Sequence, residues 1–293
     1  MIKKSILSAL LILFALPIAA QDNCDFFDLL TPKKTPQDFN PKELELDDRF
    51  NFNIEIKTCN EVYFTTIVGG EVIYYSERKN GQWSKPEIAS FSDPNYNDAD
   101  PFLSEDGGTI YFISKRPTGP GDENLDWNIW SAQRENGQWK APKPLPAPIN
   151  GENSDEYFFS ISDRGNAYFS SNRKGGEGSF DIYTTNVLGN NQFSKPVNAG
   201  RPLSTEKYEF DPYICPDESF IVFSINENGN SSLFVSHRDE DNKWTIPRNL
   251  GEQINITNQD FAPSLSADGK YLFFSNDGKL KWVSAEILEV IKE

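Results

Sequence analysis

The chain of 293 residues is poor in the side chains that most hydrolytic and metal sites require. It has one histidine, His237, and three cysteines, Cys24, Cys59 and Cys215. A lone imidazole excludes clustered-histidine metal sites and argues against Ser-His or Cys-His catalysis, which need converging partners. His237 follows Leu233-Phe234-Val235-Ser236 and reads as a surface turn residue. No G-x-S-x-G elbow is present to suggest a peptidase. Positive charge is scarce as well: 28 Lys and Arg stand against 44 Asp and Glu, a net charge of −16. That balance argues against nucleic acid, which demands a basic face, and against anionic lipid headgroups. The one extended apolar run, Ile6–Ala20, is too short for a span of about 20 residues.

That run follows Lys3 and Lys4 and ends in Ala19-Ala20 before polar Gln21, the pattern of a secretory signal peptide over residues 1–20. Without it the net charge becomes −18. The expected destination is the periplasm or outer envelope, and no membrane span is expected. In an exported chain three cysteines allow one bridge and one buried thiol, or no bridge at all. Cys215 stands where parallel segments carry Ser104, Ser162 and Ser266, which leaves Cys24 and Cys59 as the candidate disulfide. Such a bridge would contribute roughly 3–4 kcal/mol in the chain-entropy picture.

What the chain does contain is repetition. Asp98-Ala-Asp-Pro-Phe-Leu-Ser-Glu-Asp-Gly returns with variations from Asp155, Glu209 and Asp260, at intervals of 57, 54 and 51 residues. A second phrase, Asn80-Gly-Gln-Trp83, returns at Asn136–Trp139, Asn190–Phe193 and Asp241–Trp244. Periods of this length signal a repeat architecture. Within each unit apolar residues alternate with the two-residue period of strands, and turn residues separate them. Asn136-Gly137 reads as a hairpin turn that accepts positive φ, and Pro142 and Pro144 confine the following strand to an edge. Four antiparallel strands per unit, repeated radially, predict an all-β fold, a five-bladed β-propeller of four-stranded antiparallel blades.

The predicted organisation is a segment 21–49, a propeller over 50–284 and a short helical tail over 285–293. The last unit supplies only three strands, so an unpaired edge would remain. The alternating segment Lys42-Glu43-Leu44-Glu45-Leu46 is expected to close the ring as an outer strand.

Pro101–Ser114 and Pro263–Ser275 match nearly in full the sentence P-x-[LI]-S-x-D-G-x-x-[IL]-x-F-x-S, followed by an N-I-W strand in the former. This resembles the repeat of TolB-type, WD-repeat-like propellers. The copy at 209–224 departs from it at Cys215 and Glu218, and the copy at 158–171 lacks the proline. The resemblance implies a periplasmic scaffold that engages an envelope or outer-membrane protein, including peptidoglycan-associated ones, without catalysis; a monomer is expected. Propellers also host enzymes and lectins. A carbohydrate-active or glycan-binding propeller, a hydrolase or lyase using carboxylates, is therefore the alternative.

Candidate site residues follow from radial symmetry. Asp98, Asp100, Asp155, Glu209, Asp211 and Asp260 all precede an innermost strand and are expected at one channel mouth. There they would bind a cation such as calcium, attract a cationic partner or raise one another's pKa. The competing assignment is local capping of loop N–H groups. Arg116 and Arg173 each precede a Gly-rich loop and an acid, Asp126 or Asp181. They are expected to form ion pairs within their blades or to grip an anionic group at the rim. Trp83, Trp139 and Trp244 recur with the period and read as packing between blades. Trp127 breaks the period and reads as a recognition residue in a rim loop. The turn Ser104–Gly108 partly resembles the aspartate box of sialidases, where it steadies a hairpin away from the chemistry.

Overall fold

The computed structural model describes residue 27 and residues 29–46, 49–189 and 191–291. The expected signal peptide and Cys24 lie outside the described residues. Five separate antiparallel sheets follow one another along the chain. Blade 1 covers 51–88, blade 2 98–144, blade 3 156–198, blade 4 208–249 and blade 5 260–284. The innermost strands, Asn51–Thr58, Asp98–Leu103, Glu156–Ile161, Tyr208–Ile214 and Asp260–Leu265, each contact the next, and the last returns to the first. This is a closed five-bladed β-propeller.

Each inner strand carries the same irregularity. Its register against the second strand shifts after Phe52, Ala99, Tyr157, Phe210 and Phe261. The next residues, Asn53, Asp100, Phe158, Asp211 and Ala262, have φ between 40° and 54°. These are β-bulges, which add local twist and re-aim side chains. A proline follows in three of them (Pro101, Pro212, Pro263), where the broken ladder makes its missing N–H harmless. The bulge also corrects the repeat alignment in blade 3. Glu156, not Asp155, is the counterpart of Asp98, Glu209 and Asp260.

The outer strands are broken by prolines too. In blade 1, Gln82–Trp83 and Glu87–Ile88 both pair with Glu71–Lys79 on either side of Pro86. The hairpin at Asn136-Gly137 has φ of 52° and 77°, the pair of positive values that favours Asn-Gly.

The ring closes through the N-terminal segment, but with a strand that starts five residues earlier than the sequence pattern of 42–46 implied. Gln37–Asp38 pairs with Lys279–Ser284 as the outer strand of blade 5. Lys42–Leu44 forms a 3₁₀ turn instead, because Leu44 and Leu46 both drop into the seam between blades 5 and 1. Phe39 anchors this closure. It is 1% exposed and meets Phe273 and Trp282 edge-on at 5.0 and 5.4 Å. Gly278, at φ 76°, lies so close to Phe50 that a Cβ would sit 2.3 Å from its ring. The tail forms the helix Glu286–Val290, with Ile287 and Leu288 buried.

Between blades, Trp139 and Trp244 serve as sequence periodicity implied, each against a tyrosine of the preceding blade (Tyr63 and Tyr168). The sequence reading missed their companions. Arg134 stacks on Trp139 at 4.2 Å and donates to Tyr63 Oη at 2.7 Å. Arg238 stacks on Trp244 at 3.7 Å and donates to Tyr168 Oη at 3.3 Å. An arginine five or six residues before the repeating tryptophan was the available signal.

His237 is a correction. It is 3% exposed, not a surface residue, and its ring lies 6.0 Å from that of Phe220 at the end of the third strand of blade 4. Cys59 is disulfide-bonded and Cys215 is free and buried. Cys215 replaces serine in its turn: Sγ donates to Asp217 at 3.1 Å and accepts from Phe220 N at 3.2 Å. Ser104 and Ser266 make the same pattern with Asp106 and Asp268, both at 2.7 Å.

Candidate functional site at the axial cavity

The six carboxylates expected at one mouth divide into a set of three, a pair and one residue apart, Asp155. Asp98, Glu209 and Asp260 lie at or next to the first residue of their inner strands and are 0% exposed. They face the loop arriving from the preceding blade rather than the channel. Asp98 accepts from Asp93 N at 2.7 Å and Ser92 Oγ at 3.1 Å. Glu209 accepts from Thr205 N at 3.1 Å, and Asp260 from Thr257 N at 3.1 Å and Oγ1 at 2.8 Å. Glu156 joins this set by accepting from Gly151 N and Ser154 Oγ. Each is a loop cap, which satisfies backbone donors that burial would otherwise strand.

The two arginines complete these caps. Arg116 Nη2 donates to Asp98 at 2.5 Å and to Phe91 O at 2.9 Å. Arg173 Nη2 donates to Glu156 at 3.0 Å, and its Nη1 to Pro148 O at 3.0 Å. Both are within-blade pairs, but their partners are the strand-opening acids and not Asp126 or Asp181. Arg116 is itself buried. Asp155 stays near the rim, accepting from Trp127 N at 2.8 Å and Asn172 Nδ2 at 3.1 Å.

Asp100 and Asp211 behave differently because they sit at the bulges. The irregular backbone turns both into a cavity of about 290 Å³ lined by residues of all five blades, a condition only the axis meets. The preceding bulge positions supply its wall: Phe52, Tyr157, Phe210 and Phe261, with Ala99 as the one small member. Trp127 lines it from the loop that joins the second and third strands of blade 2, and Glu71 from the point where the corresponding loop of blade 1 enters the third strand. These loops place the opening on the face where the inner strands begin.

Trp127 is 8% exposed and packs on Tyr157 at 5.8 Å, with Lys115 Nζ 4.9 Å over its ring. It is thus part of the cavity wall, whereas its place in a Gly-rich loop had suggested an exposed rim position.

Asp100 is 6% exposed and Asp211 5%. Asp211 accepts one hydrogen bond, from Ala262 N at 3.0 Å. The Asp100 carboxylate accepts none among the described residues; only its own N–H is bonded, to Thr65 Oγ1 at 3.1 Å. Burial pushes Asp211 up to about 7. Burial and the negative charges of Asp211 and Glu71 hold Asp100 well above the usual carboxylate range. Asp100 is the stronger proton holder, since it lacks the N–H that favours ionised Asp211. Glu71 is raised by burial, against the opposing charge of Lys115. Among the described residues no group of three or more His, Cys, Asp or Glu side chains converges as metal ligands.

Neither protein families nor curated proteins match the sequence. Solved structures do match in shape. A putative TolB from Agrobacterium tumefaciens aligns at a TM-score of 0.50 and 15% identity, over 78% of this chain and 71% of that one. An alpha-L-arabinofuranosidase from Podospora anserina, solved with cellotriose, aligns at 0.52 and 13% identity, over 86% and 93%. These likenesses establish the propeller fold alone. TolB from Acinetobacter baumannii aligns at 0.48 and 16% identity, and this chain spans 52% of its length.

Proposed function

We propose that this chain is an exported, envelope-associated propeller that binds a partner protein through its channel mouth and rim loops. The observation that carries the reading is the axial cavity, open on one face and walled by aromatic residues around the buried acids Asp100 and Asp211. A concave apolar pocket with a few convergent polar groups is the usual form of a recognition site. Large aromatics beside desolvated charge are also what dominate binding energy at protein interfaces. Export is supported by the basic, apolar and small-residue leader of 1–20. An envelope protein, including one associated with peptidoglycan, is the partner class that the repeat resemblance suggests.

The test is affinity capture from solubilised envelopes with the wild-type chain and with Trp127→Ala and Asp211→Asn variants of confirmed fold. Recovery of a defined envelope protein by the wild type, weakened in both variants, is the expected result. Reducing-end release from a glycan panel that disappears in Asp100→Asn and Asp211→Asn would instead assign the cavity to carbohydrate chemistry.

A further inference from the structure

The axial cavity gathers the carboxyl groups of Asp100, Asp211 and Glu71, and of these only Glu71 has a cation acting on it, Lys115. Asp100 is 94% buried, and no donor among the described residues reaches its carboxylate. Glu71 Oε2 is buried on the same wall and has no hydrogen-bond partner among the described residues. Leaving such groups without donors is costly, and a folded chain normally supplies them. The first, second and fourth blades each supply an acid to one small space, yet the arrangement does not bring three ligands together as a metal ion requires. What surrounds the acids is aromatic: Phe52, Tyr157, Phe210 and Phe261 at one repeating position, with Trp127 beside them.

We propose that this cavity is a receptor for an alkylammonium group, whose nitrogen donates to Asp100 and Asp211 while its methylene stem lies against the aromatic wall. An ammonium carries three donors and no acceptor, matching oxygens that lack donors. Its charge is also attracted to the faces of aromatic rings within about 6 Å. A rigid guanidinium fork fits less well, because it favours one carboxylate in a two-bond plane over two carboxylates on different blades. The protein's own Lys115 does not fill this role, since its Nζ lies over the ring of Trp127 and its charge acts on Glu71 rather than on Asp100 or Asp211. The inference rests on the partner-binding reading and names the chemistry that the mouth would take: a lysine side chain from a partner or a free amine.

The test is titration of the whole chain with acetyl-lysine amide, with cadaverine and with acetyl-norleucine amide, followed by calorimetry and tryptophan fluorescence. Both amines should bind with dissociation constants of millimolar order or tighter, and the neutral norleucine analogue at least about tenfold more weakly. Asp100→Asn and Asp211→Asn should each weaken amine binding by about tenfold or more, with melting temperatures no lower than wild type. Preference for the lysine amide assigns the site to a protein-borne lysine, and preference for cadaverine to a free amine. Equal binding of norleucine and lysine amides, or amine binding untouched by both substitutions, overturns the proposal. Absence of amine binding by the wild type, with envelope-protein capture that Asp211→Asn still weakens, would overturn the proposal and leave the partner-binding reading intact. Amine binding without any captured protein would do the reverse.

Discussion

Arg134 in blade 2 holds Glu61 in blade 1 through two parallel hydrogen bonds, of 2.9 and 2.8 Å, while its guanidinium lies flat on Trp139. The contact joins two sheets that share no backbone hydrogen-bond ladder, so side chains carry the coupling there. Glu61 is held at a fixed angle by the fork, and the ring of Trp139 is held by the guanidinium above it. Arg134→Ala should cost about 1–3 kcal/mol, as expected for loss of a charged two-bond contact that is only partly exposed. Arg134→Lys should recover less than half of that, because an ammonium cannot make the fork or stack flat. Chemical denaturation of the three proteins measures both. Full recovery by lysine would show that charge alone carries the contact.

The N-terminal closure predicts a second effect. Phe39→Ala should destabilise by about 3–5 kcal/mol, the usual range for removing a buried phenylalanine. Limited proteolysis should then cleave first near Gln37–Asp38 and expose the free edge of Lys279–Ser284. Uniform digestion of all blades would show that the closure is not the weak point.

The buried caps and the cavity acids should respond oppositely to neutralisation. Asp98→Asn leaves Arg116 buried without its counter-charge and should cost about 3–5 kcal/mol. Asp100→Asn removes a buried carboxyl group that has no counter-cation and should be neutral or stabilising at pH 8. Melting temperatures of the two variants, measured side by side, check the contrast.

Stability should also depend on pH in a sense set by Asp211. Its carboxyl titrates near 7 in the folded chain, above the ordinary 3.8, so the native state holds a proton that the unfolded state has released. Stability from this group is therefore present in full below about pH 4 and is lost as pH rises to about 7. Asp100 and Glu209, also raised by burial, add in the same sense. Asp211→Asn should flatten the fall between pH 5 and pH 8 by an amount of the order of a few kcal/mol. A wild-type denaturation midpoint that rises over that interval would contradict the assignment.

Calcium offers a separate check on the cavity. Saturation at about a hundredfold over the dissociation constant would raise stability by about 2.7 kcal/mol if the ion bound the native state alone. With no three-ligand group among the described residues, a chelator is expected to leave the melting temperature unchanged. A fall on chelation would transfer the acids from ammonium to metal recognition.

The repeating phrases determined the architecture by themselves. Strand periodicity, Asn-Gly turns and a fixed interval leave little besides stacked four-stranded blades, and each signal is local enough to be legible along the chain. The interblade role of Trp139 and Trp244 was equally legible, because a position that recurs with the fold's period belongs to the fold. Three things were decided only in tertiary structure. The closing strand is Gln37–Asp38 because burial of Leu44 and Leu46 outweighed their alternation. Asp98, Glu209 and Asp260 became caps while Asp100 and Asp211 turned to the axis, because a β-bulge reverses side-chain direction and adjacent acids look alike in sequence. Arg116 and Arg173 chose acids 18 and 17 residues earlier in the chain over the nearer ones, since only the folded blade sets which carboxylate each can reach.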